Sequence, residues 1–217
     1  MTVHLCFHGI GSCVQEREPG EARYWIDQAL FLNILDRAVG HPGLEFSFDD
    51  GNRSDIEIAL PALLERNLRA SFFPLAGRLD DPASLDAADL RELARAGMII
   101  GTHGWSHIPW RGMNPTDVQR ELIDARIRLT EASDRTIDHA ALPLGRYDRR
   151  LLGALKANGY RRVFTSDRYR THRSAWLQAR FSVTSEDTLD SIDELLARPK
   201  AVREARNHVA SLVKRIR

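Results

Sequence analysis

Cysteine is scarce: Cys6 and Cys13 are the only two in 217 residues. One bridge is possible, but a fold built on a disulfide framework is excluded. No apolar run approaches the ~20 residues of a membrane-spanning helix. A surplus of one charge sign is also missing, since the formal net charge is +1. A chain-wide basic field for nucleic acid is therefore excluded. Repeats, low-complexity stretches and linkers are absent. The opening MTVHLCFHGIG has neither a basic n-region nor a sustained apolar stretch, so no signal peptide is read there. The expected compartment is the cytoplasm, with both thiols reduced. What is present suits a globular chain: 43% hydrophobic and 28% charged residues. The length suits a single domain over 1–217.

Short apolar runs alternate with longer amphipathic ones. Strands are expected at 2–8, 43–48, 70–75, 98–103, 139–143, 162–166 and 176–183. Leu30, Phe31, Ile34, Leu35 and Ala38 recur at helical spacing. Ser54 and Glu57 form a capping-box pattern opening a helix over 55–67, which Pro61 should kink or split. Ser84 precedes a helix over 85–96 that stops at Gly97, Asn114-Pro115 opens one to about 132, and Asp148 caps one over 149–158. Two more helices are expected at about 187–197 and 200–216. The last is basic: residues 198–217 hold Arg198, Lys200, Arg203, Arg206, Lys214, Arg215 and Arg217 against Glu204 alone. Val202, Ala205, Val209, Leu212, Val213 and Ile216 share its other side. The expected arrangement is a helix docked by that apolar side, with contact to an anionic membrane or a linked sugar as the alternative. Alternating strand and helix predicts parallel βα units in an α/β fold, an open sheet or a small barrel.

In such folds reactive groups collect where strands end at their carboxyl side. The second strand runs into Asp49-Asp50-Gly51. Two adjacent carboxylates there can point to different places, one to hold a metal and one to remain a free base; an ordinary Asp-Gly turn is the alternative. The fourth strand ends at His103, and His107 follows in His103-Gly104-Trp105-Ser106-His107. Imidazoles four apart converge on a metal if the segment turns helically. His8 ends the first strand, while His4 reads as a buried core histidine. Pro143-Leu144-Gly145-Arg146-Tyr147 ends the fifth strand in a tight turn, from which Arg146 or Tyr147 could reach a substrate. Trp105 and Trp110 could stack on a sugar or simply pack. The 17–23 segment follows the first strand and could cover the site or form a solvated loop.

Together these motifs resemble the polysaccharide deacetylases of carbohydrate esterase family 4, which share the nodulation chitooligosaccharide deacetylase fold. Ser47-Phe48-Asp49-Asp50-Gly51 is similar to the family's Thr-Phe-Asp-Asp-Gly, and His103 to His107 to its His-Ser/Thr-x-x-His. The resemblance implies a distorted, incomplete (β/α) barrel of about seven parallel strands. It implies Asp50, His103 and His107 as ligands of a divalent metal, zinc foremost, with cobalt, nickel or iron also fitting. It implies Asp49 as catalytic base, and removal of N-acetyl groups from an amino-sugar or polysaccharide substrate. Two departures stand out. The arginine usually found two residues before the proline is Ala141 here, and the late Leu-x-x-His is missing near residues 181–185. Phe7-His8-Gly9-Ile10 resembles the N-terminal histidine motif of circularly permuted, exopolysaccharide-type members, which assigns the catalytic acid to His8. Pro143, Arg146, Tyr147, Trp105 and Trp110 are the candidate substrate contacts by their place at strand ends and loops, with turn geometry or packing as the alternative. The departures keep two alternatives open: an impaired carbohydrate-binding homologue, or an amidohydrolase acting on a small non-sugar amide.

Overall fold

The computed structural model describes residues 1–197 and 201–217, so Arg198 and Lys200 lie outside the described residues. The strands are β1 (Val3–Phe7), β2 (Gly9–Ile10), β3 (Trp25–Ile26), β4 (Leu44–Asp50), β5 (Ala70–Pro74), β6 (Ile99–Ile100), β7 (His139–Ala141), β8 (Arg162–Thr165), β9 (Leu177–Ala179) and β10 (Phe181–Ser182). Helices α1 (Gln28–Ala38), α2 (Leu60–Glu65), α3 (Ala87–Arg95), α4 (Pro115–Val118), α5 (Ala125–Ser133), α6 (Arg149–Ala157), α7 (Leu189–Ala197) and α8 (Ala201–Ile216) connect or follow them.

The α/β expectation holds, and every strand pair is parallel. The strands do not form one continuous seven-stranded sheet. They form a five-stranded sheet in the order β10-β1-β4-β5-β6, a three-stranded sheet β7-β8-β9, and the short pair β2-β3. The two larger sheets meet in two places. Beyond β6, Thr102 bridges to Ala140, donating to the His139 carbonyl and accepting from Ala141 N–H. At the other side, residues 177–182 run through both sheets: β9 pairs with β8, β10 pairs with β1, and Arg180 stands between them.

Side-chain alternation sets two environments. Val3, Leu5, Phe7, Phe46, Phe48 and Phe72 face α1, α2 and α3 and form the main apolar core. The opposite faces carry His4, Cys6, Ser47, Asp49, Phe73, Phe164 and Arg180, all buried. His4 is the expected core histidine, 3.5 Å from Glu45 and edge-on to Phe164.

Several local signals act as read. Pro61 falls at the start of α2, where its missing N–H costs nothing, and a wide helical turn at Asp55–Ala59 precedes it. Asn114 and Asp148 cap their helices. Ser54 does not cap: its hydroxyl accepts from Ile10 N–H instead. Asp86, with Asp89, makes the capping box of α3, because Ser84 is engaged by Arg17.

At Gly101 the chain passes between the sheets, and an added Cβ would lie 2.7 Å from the His139 carbonyl oxygen and closer still to the Phe73 ring. Gly101→Ala should therefore destabilise the fold by about 1–3 kcal/mol through overpacking. The check is a lower urea midpoint at unchanged slope.

Candidate metal and catalytic site

The polar strand ends converge on a cleft of about 310 Å³ lined by His8, Asp49, Asp50, His103, His107 and Arg180, among others. Asp49 follows the regular pleat and shares its face with Ser47. Asp50 does not, because its φ is +73° and that of Gly51 is +71°. A left-handed non-glycine residue costs about 1–3 kcal/mol; here it turns two neighbouring carboxylates to different places, as the doublet suggested.

His103 and His107 come together, but not on a helical turn. Gly104 at φ +88° and His107 at φ +58° fold the segment back on itself. Glu121, buried in the helical stretch after α4, accepts from the N–H groups of Trp105 (2.7 Å) and Ser106 (3.0 Å) and so fixes this loop. The ring centroids lie 5.1 Å apart.

Hydrogen bonds decide which ring nitrogens remain available. His103 Nδ1 lies 2.9 Å from the Ala141 carbonyl oxygen. A carbonyl can only accept, so Nδ1 carries the proton and Nε2 presents a lone pair. His107 Nδ1 lies 2.6 Å from Glu18 Oε2, which leaves its Nε2 free in the same way. Both Nε2 atoms are 3.7 Å from Asp50 Oδ1, which is buried without a hydrogen-bond partner. Three lone pairs facing one point fit a divalent cation with two nitrogen ligands and one oxygen ligand. Burial lowers His103 to about 4, so it stays neutral as a ligand requires. Asp55 lies near this carboxylate pair. Burial pushes it well above the usual carboxylate range.

Asp49 is held differently. Arg180 Nη1 and Nη2 donate to its two oxygens at 2.6 and 2.7 Å, and Nη1 also reaches Ser47 Oγ at 2.9 Å. Burial works against the Asp49 charge, but the Arg180 guanidinium outweighs it and holds the carboxyl well below its usual range. Arg180 thus brings to Asp49, from between β9 and β10, a guanidinium that Ala141 does not carry. Its signal in the sequence was a lone charge inside an apolar strand, because such a side chain demands a buried carboxylate.

His8 lines the same cleft, and a ring nitrogen lies within 4.8 Å of an Asp49 oxygen. Its ring packs on Tyr24 at 4.7 Å. The segment between β2 and β3 does cover the site, since Glu18, Pro19, Gly20, Glu21 and Tyr24 line it. Arg17 ties that segment to Ser84 and Asn52, and Arg78 donates to Glu18 at 2.8 Å. Glu18 was not legible as a site residue, because 89 residues separate it from His107.

The expected substrate contacts divide. Arg146 lines the cleft and is exposed. Trp105, Trp110, Pro143 and Tyr147 do not line it. Trp110 is buried, donating to Glu121, and Trp105 lies beneath Arg120 and Arg128. Pro143 is buried and starts the turn. The Tyr147 hydroxyl points to Asp167 (2.6 Å) and Ser211. Leu142 and Leu144 stand at the cleft instead.

Residues 37–163 match the family model described as "Polysaccharide deacetylase". The chain belongs to this family. The matched span holds Asp49, Asp50, His103 and His107, and it leaves His8, Glu18 and Arg180 outside. Relatives agree with the family. The Bacillus subtilis (strain 168) protein YxkH, which carries the same family name, is 25% identical over 140 residues, 64% of this chain and 50% of that one. The chain thus spans about half the length of this curated relative. The fold resembles the Streptococcus pyogenes deacetylase PplD in complex with acetate (TM-score 0.74, 18% identity, 91% of this chain and 98% of that one). It also resembles IcaB from Ammonifex degensii (TM-score 0.72, 21% identity, 90% and 95%).

Removing the Arg180 charge leaves Asp49 buried and uncompensated. Arg180→Met should cost about 3–5 kcal/mol of stability, and adding Asp49→Asn should recover part of that loss in denaturant titrations. Since the native Asp49 pKa is depressed, its contribution is complete above the unfolded value of about 4. It is withdrawn as pH falls through the native value.

Proposed function

We propose that the chain is a metal-dependent hydrolase that removes N-acetyl groups from an amino-sugar or polysaccharide substrate. The observation that carries this reading is the division of labour between adjacent carboxylates. Asp50 Oδ1 faces two imidazole lone pairs, while Asp49 is kept ionised by Arg180.

Asp50, His103 and His107 would hold the cation. Bound there, it would polarise the acetyl carbonyl and ease the ionisation of water near neutral pH. Zinc suits two nitrogens and one oxygen, and cobalt, nickel and iron fit the same set. Asp49 stands beside that point as the base that takes the proton of the attacking water. His103 Nε2 lies 3.8 Å from Asp49 Oδ2, so base and ligand set share one small space. Protonated His8 gives its proton to the departing amine nitrogen. Water and amide thus become acetate and a free amine.

Arg180 supplies the guanidinium that Ala141 cannot, which removes the main motive for an impaired homologue. The cleft borders exposed residues at Leu144 and Arg146, which favours a substrate that extends beyond one acetamide over a small closed-in amide. We read the two joined sheets as the opened form of the family's seven-stranded barrel.

Zinc-loaded protein should release acetate from N-acetylated glucosamine oligomers. Asp49→Asn should retain zinc in calorimetry while acetate release falls by on the order of 10²–10⁴, and His8→Gln should fall by a similar factor. Undiminished turnover in Asp49→Asn would remove the base assignment, and failure of wild-type protein to bind zinc, cobalt, nickel or iron would remove the whole reading. Glu18 accepts from His107 Nδ1 and so fixes the ring with Nε2 toward Asp50; Glu18→Gln should weaken zinc binding by about 10–100-fold in calorimetry while the metal-free protein still unfolds cooperatively.

A further inference from the structure

α8 docks with its polar side inward. Its less exposed residues are Glu204, Asn207, Ser211 and Lys214, spaced three, four and three apart, which is one stripe of a helix. Each has a partner in the body of the protein. Ser211 Oγ lies 2.7 Å from the Tyr147 hydroxyl and 3.1 Å from that of Tyr169. Asn207 donates to the Arg168 carbonyl at 3.0 Å. Glu204 accepts from Arg170 at 2.7 Å, and Lys214 donates to Asp167 at 2.6 Å.

The apolar stripe expected to dock points outward. Val209 is 59% exposed and Ile216 75%, and Val202, Leu212 and Val213 are exposed beside them. By helical periodicity Arg206 and Arg217 flank this stripe on one side and His208 and Arg215 on the other, all exposed. The one carboxylate of α8, Glu204, is turned inward onto Arg170. The outward surface of the helix is therefore apolar along its middle, cationic at its margins and free of acidic side chains.

We propose that α8 is a docking surface for an anionic lipid bilayer and lies in the plane of the interface. The valine, leucine and isoleucine side chains would enter the boundary between headgroups and acyl chains. The arginines would remain among the anionic headgroups, their stems lying along the apolar layer. Charge selects this occupant over a second copy of the chain, because pairing two such helices would set cationic margins against each other. Lys214 also donates to the Gly145 carbonyl at 3.4 Å, and Gly145 lines the cleft. The 142–147 turn therefore lies under the inward side of α8, opposite the face that would meet the bilayer. The inference stands apart from the catalytic reading, since none of the residues it uses touches the proposed metal site.

The test is co-sedimentation of the full chain with vesicles of equal parts phosphatidylglycerol and phosphatidylcholine, against vesicles of phosphatidylcholine alone. Binding is expected only to the anionic vesicles, and it should weaken as salt shortens the screening length. Val209→Glu with Val213→Glu should abolish it. Arg206→Glu with Arg217→Glu should reduce it by more than about tenfold, since one basic side chain at an anionic surface is worth roughly fivefold. All four side chains are exposed, so circular dichroism should match wild type. The proposal is overturned by absent binding, by equal binding to both vesicle types, or by variants that bind as wild type does. A dimer in sedimentation velocity that Val209→Glu with Val213→Glu dissolves, without vesicle binding, would give the face to a second copy and also overturn it.

Discussion

The buried pair of Arg180 and Asp49 sits where the structure's constraints meet. The guanidinium lies over the rings of Phe73 and Phe164, one from each of the two main sheets. It grips a carboxylate at the end of β4 and reaches the Thr165 carbonyl at the end of β8. Two charges taken out of water cost several kcal/mol each. That cost is offset only because each finds good geometry: two parallel N–H donors on one carboxylate, with Ser47 beside them. The same contact that ties the sheets together therefore also fixes the orientation and charge of Asp49. Stability and chemistry share one interaction here.

The neighbouring triad follows a different rule. Each donor atom is made available by what occupies the other end of its side chain or backbone. Ala141 takes the proton side of His103 and Glu18 that of His107, while the left-handed backbone of Asp50 swings its carboxylate away from Arg180. These supports come from distant parts of the chain: the 142–147 turn's own strand, the segment between β2 and β3, and β4 itself. Losing any one would leave Asp50, His103 and His107 present but rotated.

Much of this was legible because strand ends are conspicuous. The Asp49-Asp50-Gly51 doublet, the paired histidines and His8 each sit at the carboxyl end of an apolar run, and parallel topology brings such ends together. The helical reading of residues 103–107 failed because a buried carboxylate, Glu121, satisfies the loop's N–H groups and frees it from helical geometry. Of the two readings open for Trp105 and Trp110, packing prevails, since the indole N–H of Trp110 donates to the same glutamate and Trp105 lies beneath Arg120 and Arg128. Glu18 lay beyond sequence reasoning because its partner is 89 residues away; Arg180 stood out as a lone charge in an apolar strand, but its partner, 131 residues away, did not. The docked side of α8 is not legible in the sequence, because apolar periodicity says which residues share a stripe, not which stripe the rest of the molecule can receive. Here the receiving surface offered Tyr147, Asp167, Tyr169 and Arg170, and polar residues answered it.

Placing a guanidinium at the one residue where a strand changes partners has an evolutionary side. Residues 141 and 180 flank β8 from opposite neighbours, so the duty of steadying the carboxylate could move from one to the other without moving the carboxylate. Such a transfer binds the new owner to strict phase. Inserting or deleting a single amino acid between 177 and 180 would turn that side chain to the opposite face, so this short stretch has less freedom to vary in length than any loop around it.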